Sequence, residues 1–413
     1  AGTTLTRMST TRALGALILS NVLGGVGVAS GIAVGALLTA SLGGTALAGV
    51  GQALSVFGAG LMAVPLATLA ARRGRGRALT VGYAAAASGA VVVLVASWLG
   101  NLGILFAGLL LFGAAQATNL QTRYAASELV DPARRGRTMS VVVWATTIGS
   151  VVGPNLSAAG AAVGRPLGLP DLAGPYLFSV AAFTLAGLSA ALLYRRPAGW
   201  AAPTETGRRP AGALAALGWA FRHPVARFAV VLLVTAHAVM VGLMSMTPVH
   251  LGHHDHQLTV IGFVISLHIL GMYALSPVFG WLADRLGPMR TALLGIITLG
   301  VSAAIAFAWK DNLTLVTVAL FLLGVGWSAS TIAASVLLAG VDAGDVRVPL
   351  QGATDALMSY GGAAAAVLSG PVLVLIGYNG LAIACAALLL PAAAVGWVAR
   401  RHRRTAGDPD PAR

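Results

Sequence analysis

A chain of 413 residues that is 57% hydrophobic and only 9% charged is not a soluble domain, in which roughly a quarter of residues carry charge. Its net charge of +14 does not mark a nucleic-acid binder. With the amino terminus inside and twelve spans, every Lys and Arg except Arg123, Arg165 and Lys310 falls in or beside segments on one side, the bias that orients helices in a bilayer. The single cysteine, Cys385, lies in an apolar run, which excludes a disulfide framework and a Cys-x-x-Cys metal site.

One membrane helix takes about 20 apolar residues. Spans are predicted near 13–40, 46–71, 77–98, 102–128, 138–163, 174–195, 225–250, 258–283, 290–309, 312–339, 350–376 and 379–400. The run from Ala13 is too long for a cleavable signal and reads as the first span. The expected fold is therefore all-α and polytopic, with two six-helix bundles, 1–196 and 224–401. A polar stretch over 197–223, holding Pro203, Glu205 and Pro210, reads as a cytoplasmic linker, and 402–413 as a disordered basic tail. Both termini are expected inside, in the cytoplasmic membrane.

The halves echo each other. Leu69, Arg72, Gly74 and Arg77 after the second span repeat as Leu282, Arg285, Gly287 and Arg290 after the eighth. Gly153-Pro154 in the fifth span repeats as Gly370-Pro371 in the eleventh. Paired six-helix halves suit alternating access.

Gly280-x-Leu282-x-Asp284-Arg285-x-Gly287-x-x-Arg290 resembles the loop signature of the major facilitator superfamily. The resemblance implies a gating charge relay at this loop. In the first copy Ala71 stands where the acid is expected, so gating is expected to rest mainly on the second half. Gly149-x-x-x-Gly153-Pro154 resembles a motif of drug–proton exchangers in that superfamily, a close-packed and kinkable helix.

Six of the eight histidines and four of the nine methionines lie between His237 and Met272. On the seventh span, His237, Met240 and Met244 fall within about 60° of one another, stacked over roughly 10 Å of helix. On the eighth, His268 and Met272 share one face. Counted from the outer ends, these residues lie near the bilayer midplane, where such transporters bind substrate. Thioether and imidazole suit copper, and uncharged ligands avoid the cost of a buried carboxylate. The outer loop adds His250, His253, His254 and His256, a composition that collects metal ions.

The Met240-x-x-x-Met244 and His268-x-x-x-Met272 pairs resemble the motifs of CcoA-type copper importers, within the same superfamily. That resemblance implies copper as the transported substrate of these four residues, with no prosthetic group. His237 and the histidine-rich loop are added on chemistry alone. Riboflavin importers are neighbours of that subfamily, and a multidrug antiporter is the other alternative. Asp355, Arg123 and Glu128 are intramembrane charges, functional by default, with Asp355 the candidate proton-coupling acid. Asn21, Asn119, Gln121 and Asn155 are expected to bond between helices or line a cavity. No Walker loop and no soluble domain large enough for an enzyme are present. A monomer is expected, handing its ion to an unidentified intracellular acceptor.

Overall fold

The computed structural model describes residues 2–44, 47–194, 212–253 and 258–405. Sixteen α-helices account for nearly all of them, and no strand occurs among the described residues. They are α1 (Gly2–Gly43), α2 (Ala48–Arg73), α3 (Arg75–Leu99), α4 (Leu102–Phe112), α5 (Ala114–Ser127), α6 (Arg135–Asn155), α7 (Ser157–Gly164) and α8 (Pro175–Leu192). After the linker come α9 (Ala213–Arg222), α10 (Pro224–His253), α11 (Leu258–Tyr273), α12 (Ser276–Arg285), α13 (Pro288–Ala308), α14 (Leu313–Gly340), α15 (Arg347–Ala387) and α16 (Leu389–Thr405).

Among the described residues ten segments are long and apolar enough to cross a membrane, and the bent pair α6–α7 makes an eleventh. The last segment, Gly344–His402, holds both of the final two expected spans. They meet at Gly377, whose φ of 71° and ψ of −179° are not helical. Three expected spans prove to be broken helices. The fourth divides at Gly113, where a Cβ would run into the backbone of Ser55 and Ala59. The fifth bends by 57° between Gly153 and Ser157, where the kink at Gly153-Pro154 is expected. The eighth divides between Tyr273 and Ser276. The final helix runs to Thr405, past the expected start of the tail, with Arg401 stacked 3.5 Å over Trp397. Basic residues suit a helix carboxyl end. Within the expected linker, Ala213–Arg222 is helical and 197–211 lies outside the described residues.

The chain forms two compact units. One comprises 1–130, 145–213 and 351–356; the other comprises 131–144, 214–350 and 357–413. In the first, α1 presents glycines to aromatic side chains. A Cβ at Gly27 would overlap Phe183, and one at Gly31 would overlap Phe112. Phe112 meets Tyr176 and Phe183 edge-on at 5.5 and 5.2 Å. Gly149 lies against Gly25 and Gly153 against Ala29, so the Gly-x-x-x-Gly pair of α6 is a close helix crossing. Asn21 bonds Thr146 and Thr122, Asn119 accepts from Tyr83, and Gln121 donates to the Ala63 carbonyl, all between helices. Asn155 instead donates to Val151 on its own helix.

The two cations that break the charge bias are neutralised locally. Arg165 makes a two-point ion pair with Asp171 at 2.8 and 2.9 Å, and Lys310 pairs with Asp311 at 2.8 Å. Neither adds net charge to its loop.

Candidate functional site

The second unit carries the histidine–methionine window. On α10, His237 and Met240 are buried and Met244 is half-buried. On α11, His268 is fully buried and Met272 is 8% exposed. Although consecutive in sequence, α10 and α11 pack only slightly on each other; each packs extensively on α14. Helix α14 is therefore the shared wall of the window.

Trp327 on α14 touches both partners. Its indole N–H donates to His237 Nδ1 at 3.0 Å, and its ring meets Tyr273 edge-on at 5.8 Å. His237 and Tyr273 lie three residues and one residue from Met240 and Met272. An indole N–H only donates, so Nδ1 of His237 must accept, and the neutral ring carries its proton on Nε2. The ring lies over Gly362, where a Cβ would come within 2.5 Å of Cδ2.

His268 has the opposite tautomer. Its Nδ1 lies 2.7 Å from the Leu320 carbonyl, which only accepts, so Nδ1 carries the proton and Nε2 presents a bare lone pair. That nitrogen is buried and has no hydrogen-bond partner among the described residues. A buried acceptor left unpaired costs about 1–3 kcal/mol. The backbone around it is tightly held. A Cβ at Gly324 of α14 would lie 2.8 Å from the Met272 nitrogen, and one at Gly271 would lie 2.6 Å from the Phe321 carbonyl.

Sequence reasoning missed Trp327, Gly324 and Gly362. The available signal was Gly324-x-Gly326-Trp327, small residues beside a large donor within an apolar span. Replacing Trp327 with Phe keeps an aromatic side chain, though a smaller one, and removes one hydrogen bond, worth about 1 kcal/mol. The half-saturating cargo concentration for uptake should rise about fivefold, with membrane expression unchanged.

At the outer end of α10, His250 stacks on Tyr378 at 4.2 Å and donates from Nε2 to the Lys310 carbonyl at 2.8 Å. Tyr378 also bonds Thr247 at 2.8 Å. His250 is thus engaged in tying loops together. The side chain of His253 and all of His254 and His256 lie outside the described residues. Among the described residues no three His, Cys, Asp or Glu side chains converge as a metal cluster. A soft-metal site here would have to draw on thioethers.

The second loop signature centres on Asp284. Asp284 accepts from the backbone N–H groups of Gly136 and Arg137 at 2.7 and 2.9 Å, at the start of α6. Gly280 lies flush against Gly136 and Ser140. Gly287 turns with φ 87° and ψ 148°, and Gly74 in the first copy repeats this at 90° and 158°. Arg285 stacks on Trp281, and Arg290 falls in the first turn of α13. The intramembrane charges are paired within the first unit: Arg123 with Asp355, each 1% exposed, and Arg75 with Glu128 at 2.9 Å. Arg75 also donates to Gln351.

A family model described as the Major Facilitator Superfamily matches residues 16–259 and 251–413. The uncharacterized MFS-type transporter YddS of Bacillus subtilis is 36% identical over 400 residues, which cover 94% of this chain and 91% of the relative. The riboflavin transporter RfnT of Brucella anthropi is 27% identical over 78% of this chain and 79% of its own length. Among solved structures, the human organic anion transporter MFSD10 (TETRAN) superposes with a TM-score of 0.78 at 15% identity, covering 94% of this chain and 99% of that one. A bacterial homologue of the iron transporter ferroportin, in an outward-facing state, gives 0.72 at 18% identity over the same shares. At these identities the structural matches speak to the fold.

Proposed function

Because the chain belongs to the major facilitator superfamily, we propose that it is a secondary-active importer of copper, working by alternating access through Met240, Met244, His268 and Met272. One observation carries this reading: the Leu320 carbonyl fixes the tautomer of His268 so that Nε2 offers a buried, unpartnered lone pair. Four residues on, the Met272 thioether is also buried. An imidazole nitrogen and thioethers, with no carboxylate, match a soft monovalent ion. Such ligands release their ion more readily than thiolates. His237, with Nδ1 already engaged by Trp327, serves better as a support for α10 than as a ligand in this arrangement.

The importer would act as a monomer in the cytoplasmic membrane, with both termini inside and no prosthetic group. It would pass copper to an intracellular acceptor. Asp355 is the proton-coupling candidate on this reading.

The test is copper uptake in a low-copper host, comparing the wild-type chain with Met240→Ala and His268→Ala at matched membrane expression. Uptake should fall about tenfold or more in both variants. Cell copper equal to the empty vector in all three strains would end the copper reading. The similarity to RfnT favours a second reading, import of a riboflavin-like aromatic solute, with Trp327 and Tyr273 as stacking surfaces. Growth of a riboflavin auxotroph on limiting riboflavin tests it in the same strains.

A further inference from the structure

The two copies of the loop signature differ in one decisive way. In the second, Gly280 packs flush on α6, and Asp284 accepts two backbone N–H groups from its first turn. The carboxylate there satisfies donors that the helix leaves open and meets its positive end. In the first copy the flush packing is retained, since a Cβ at Gly352 of α15 would overlap Ala67, the counterpart of Gly280. The turn is retained too, in Gly74. The acid is not, because Ala71 is the counterpart of Asp284. Helix α15 has no side-chain cap at Val346, and Pro349 in its first turn has no N–H to offer a carboxylate.

Charge instead enters from a different pair of elements. The start of α15, residues 351–356, belongs to the first compact unit. There Asp355 pairs with Arg123 of α5, and Gln351 accepts from Arg75, whose guanidinium also binds Glu128 through Nε and Nη2 at 3.1 and 2.9 Å. Arg75, Arg123 and Asp355 are each at most 2% exposed. The two cations and two anions cancel.

We propose that the Arg123–Asp355 pair has taken over the latch function of the acid missing at Ala71, holding the start of α15 to the amino-terminal unit in one conformer and releasing it in the other. Gating then rests on two latches of different chemistry: a carboxylate on a helix end in the second half, and a buried ion pair in the first. The pair suits a latch because separating two desolvated charges is costly unless water reaches them. The closed arrangement is therefore held until the inner side hydrates. This proposal does not depend on the identity of the cargo.

The test uses the full chain, purified in detergent, with Cys385→Ser removing the native thiol and Ala353→Cys as reporter. Ala353 is 2% exposed and lies between Gly352 and the latch. The measurement is the rate of reporter alkylation by a membrane-impermeant maleimide. The neutral double variant Arg123→Gln/Asp355→Asn, which strands no buried charge, should react about tenfold faster than the unmodified pair, equivalent to about 1.4 kcal/mol. The exchanged variant Arg123→Asp/Asp355→Arg should return to within about threefold of it. A neutral variant that reacts no faster, or an exchanged variant that reacts as fast as the neutral one, would overturn the proposal. Thermal melting of each variant separates release of the latch from unfolding, and unfolding of the exchanged variant alone also counts against it.

Discussion

His268→Leu should abolish copper uptake and leave the purified chain as stable as the wild type, or more so. Nε2 of His268 is buried with no partner among the described residues, and such an atom costs about 1–3 kcal/mol. Leucine fills a similar volume without that burden. The Nδ1 bond to Leu320 is lost, but a helix carbonyl retains its bond along the helix. The expected signature is a split: initial uptake at background, melting temperature unchanged or raised by a few degrees. A residue retained only for packing would lose stability on truncation and leave transport largely intact. If both fall together, His268 is structural, and the copper reading loses its main support. The paired measurement therefore decides more than uptake alone, which any misfolded variant would lose.

The second large effect is a difference in sign between two identical substitutions. Gly324→Ala and Gly300→Ala both replace a mid-helix glycine, on α14 and α13. Nothing lies within 4 Å of a Cβ at Gly300, so alanine there should stabilise by up to about 1 kcal/mol through helix propensity. At Gly324 the same methyl meets the Met272 nitrogen at 2.8 Å and the Gly271 backbone at 3.1 Å. Backbone cannot swing aside as a side chain can, so α11 must shift away from α14. Overpacking of this kind costs about 1–3 kcal/mol, and here it also displaces His268 and Met272. Melting temperatures of the two variants should move in opposite directions, and only Gly324→Ala should lose transport. Equal shifts would mean that the α11–α14 crossing is more tolerant than its geometry implies.

A chain with these sites in reach of its sequence still hid much of its mechanism. Hydropathy, charge bias and the echo between the halves are properties of local stretches, and a bilayer reads them locally. They determined that the chain is all-helical and polytopic, and which loop carries Asp284. Glycine spacing on α6 likewise announced a close crossing, because a missing Cβ has the same consequence wherever the partner helix comes from. The partners themselves are decided in three dimensions. The tautomer of His268 depends on a carbonyl 52 residues away, that of His237 on an indole 90 residues away, and the pairing of Asp355 on an arginine 232 residues away. No periodicity encodes such distances. Although α10 and α11 are consecutive in sequence, each packs extensively on α14. Ala71, where the first signature lacks its acid, gave the expectation that gating rests mainly on the second half. The amino-acid sequence by itself determined the helices, since apolar length acts residue by residue. Only the tertiary structure decided which imidazole nitrogen is bare and which buried charges meet, since those depend on a low-dielectric interior that no single helix provides.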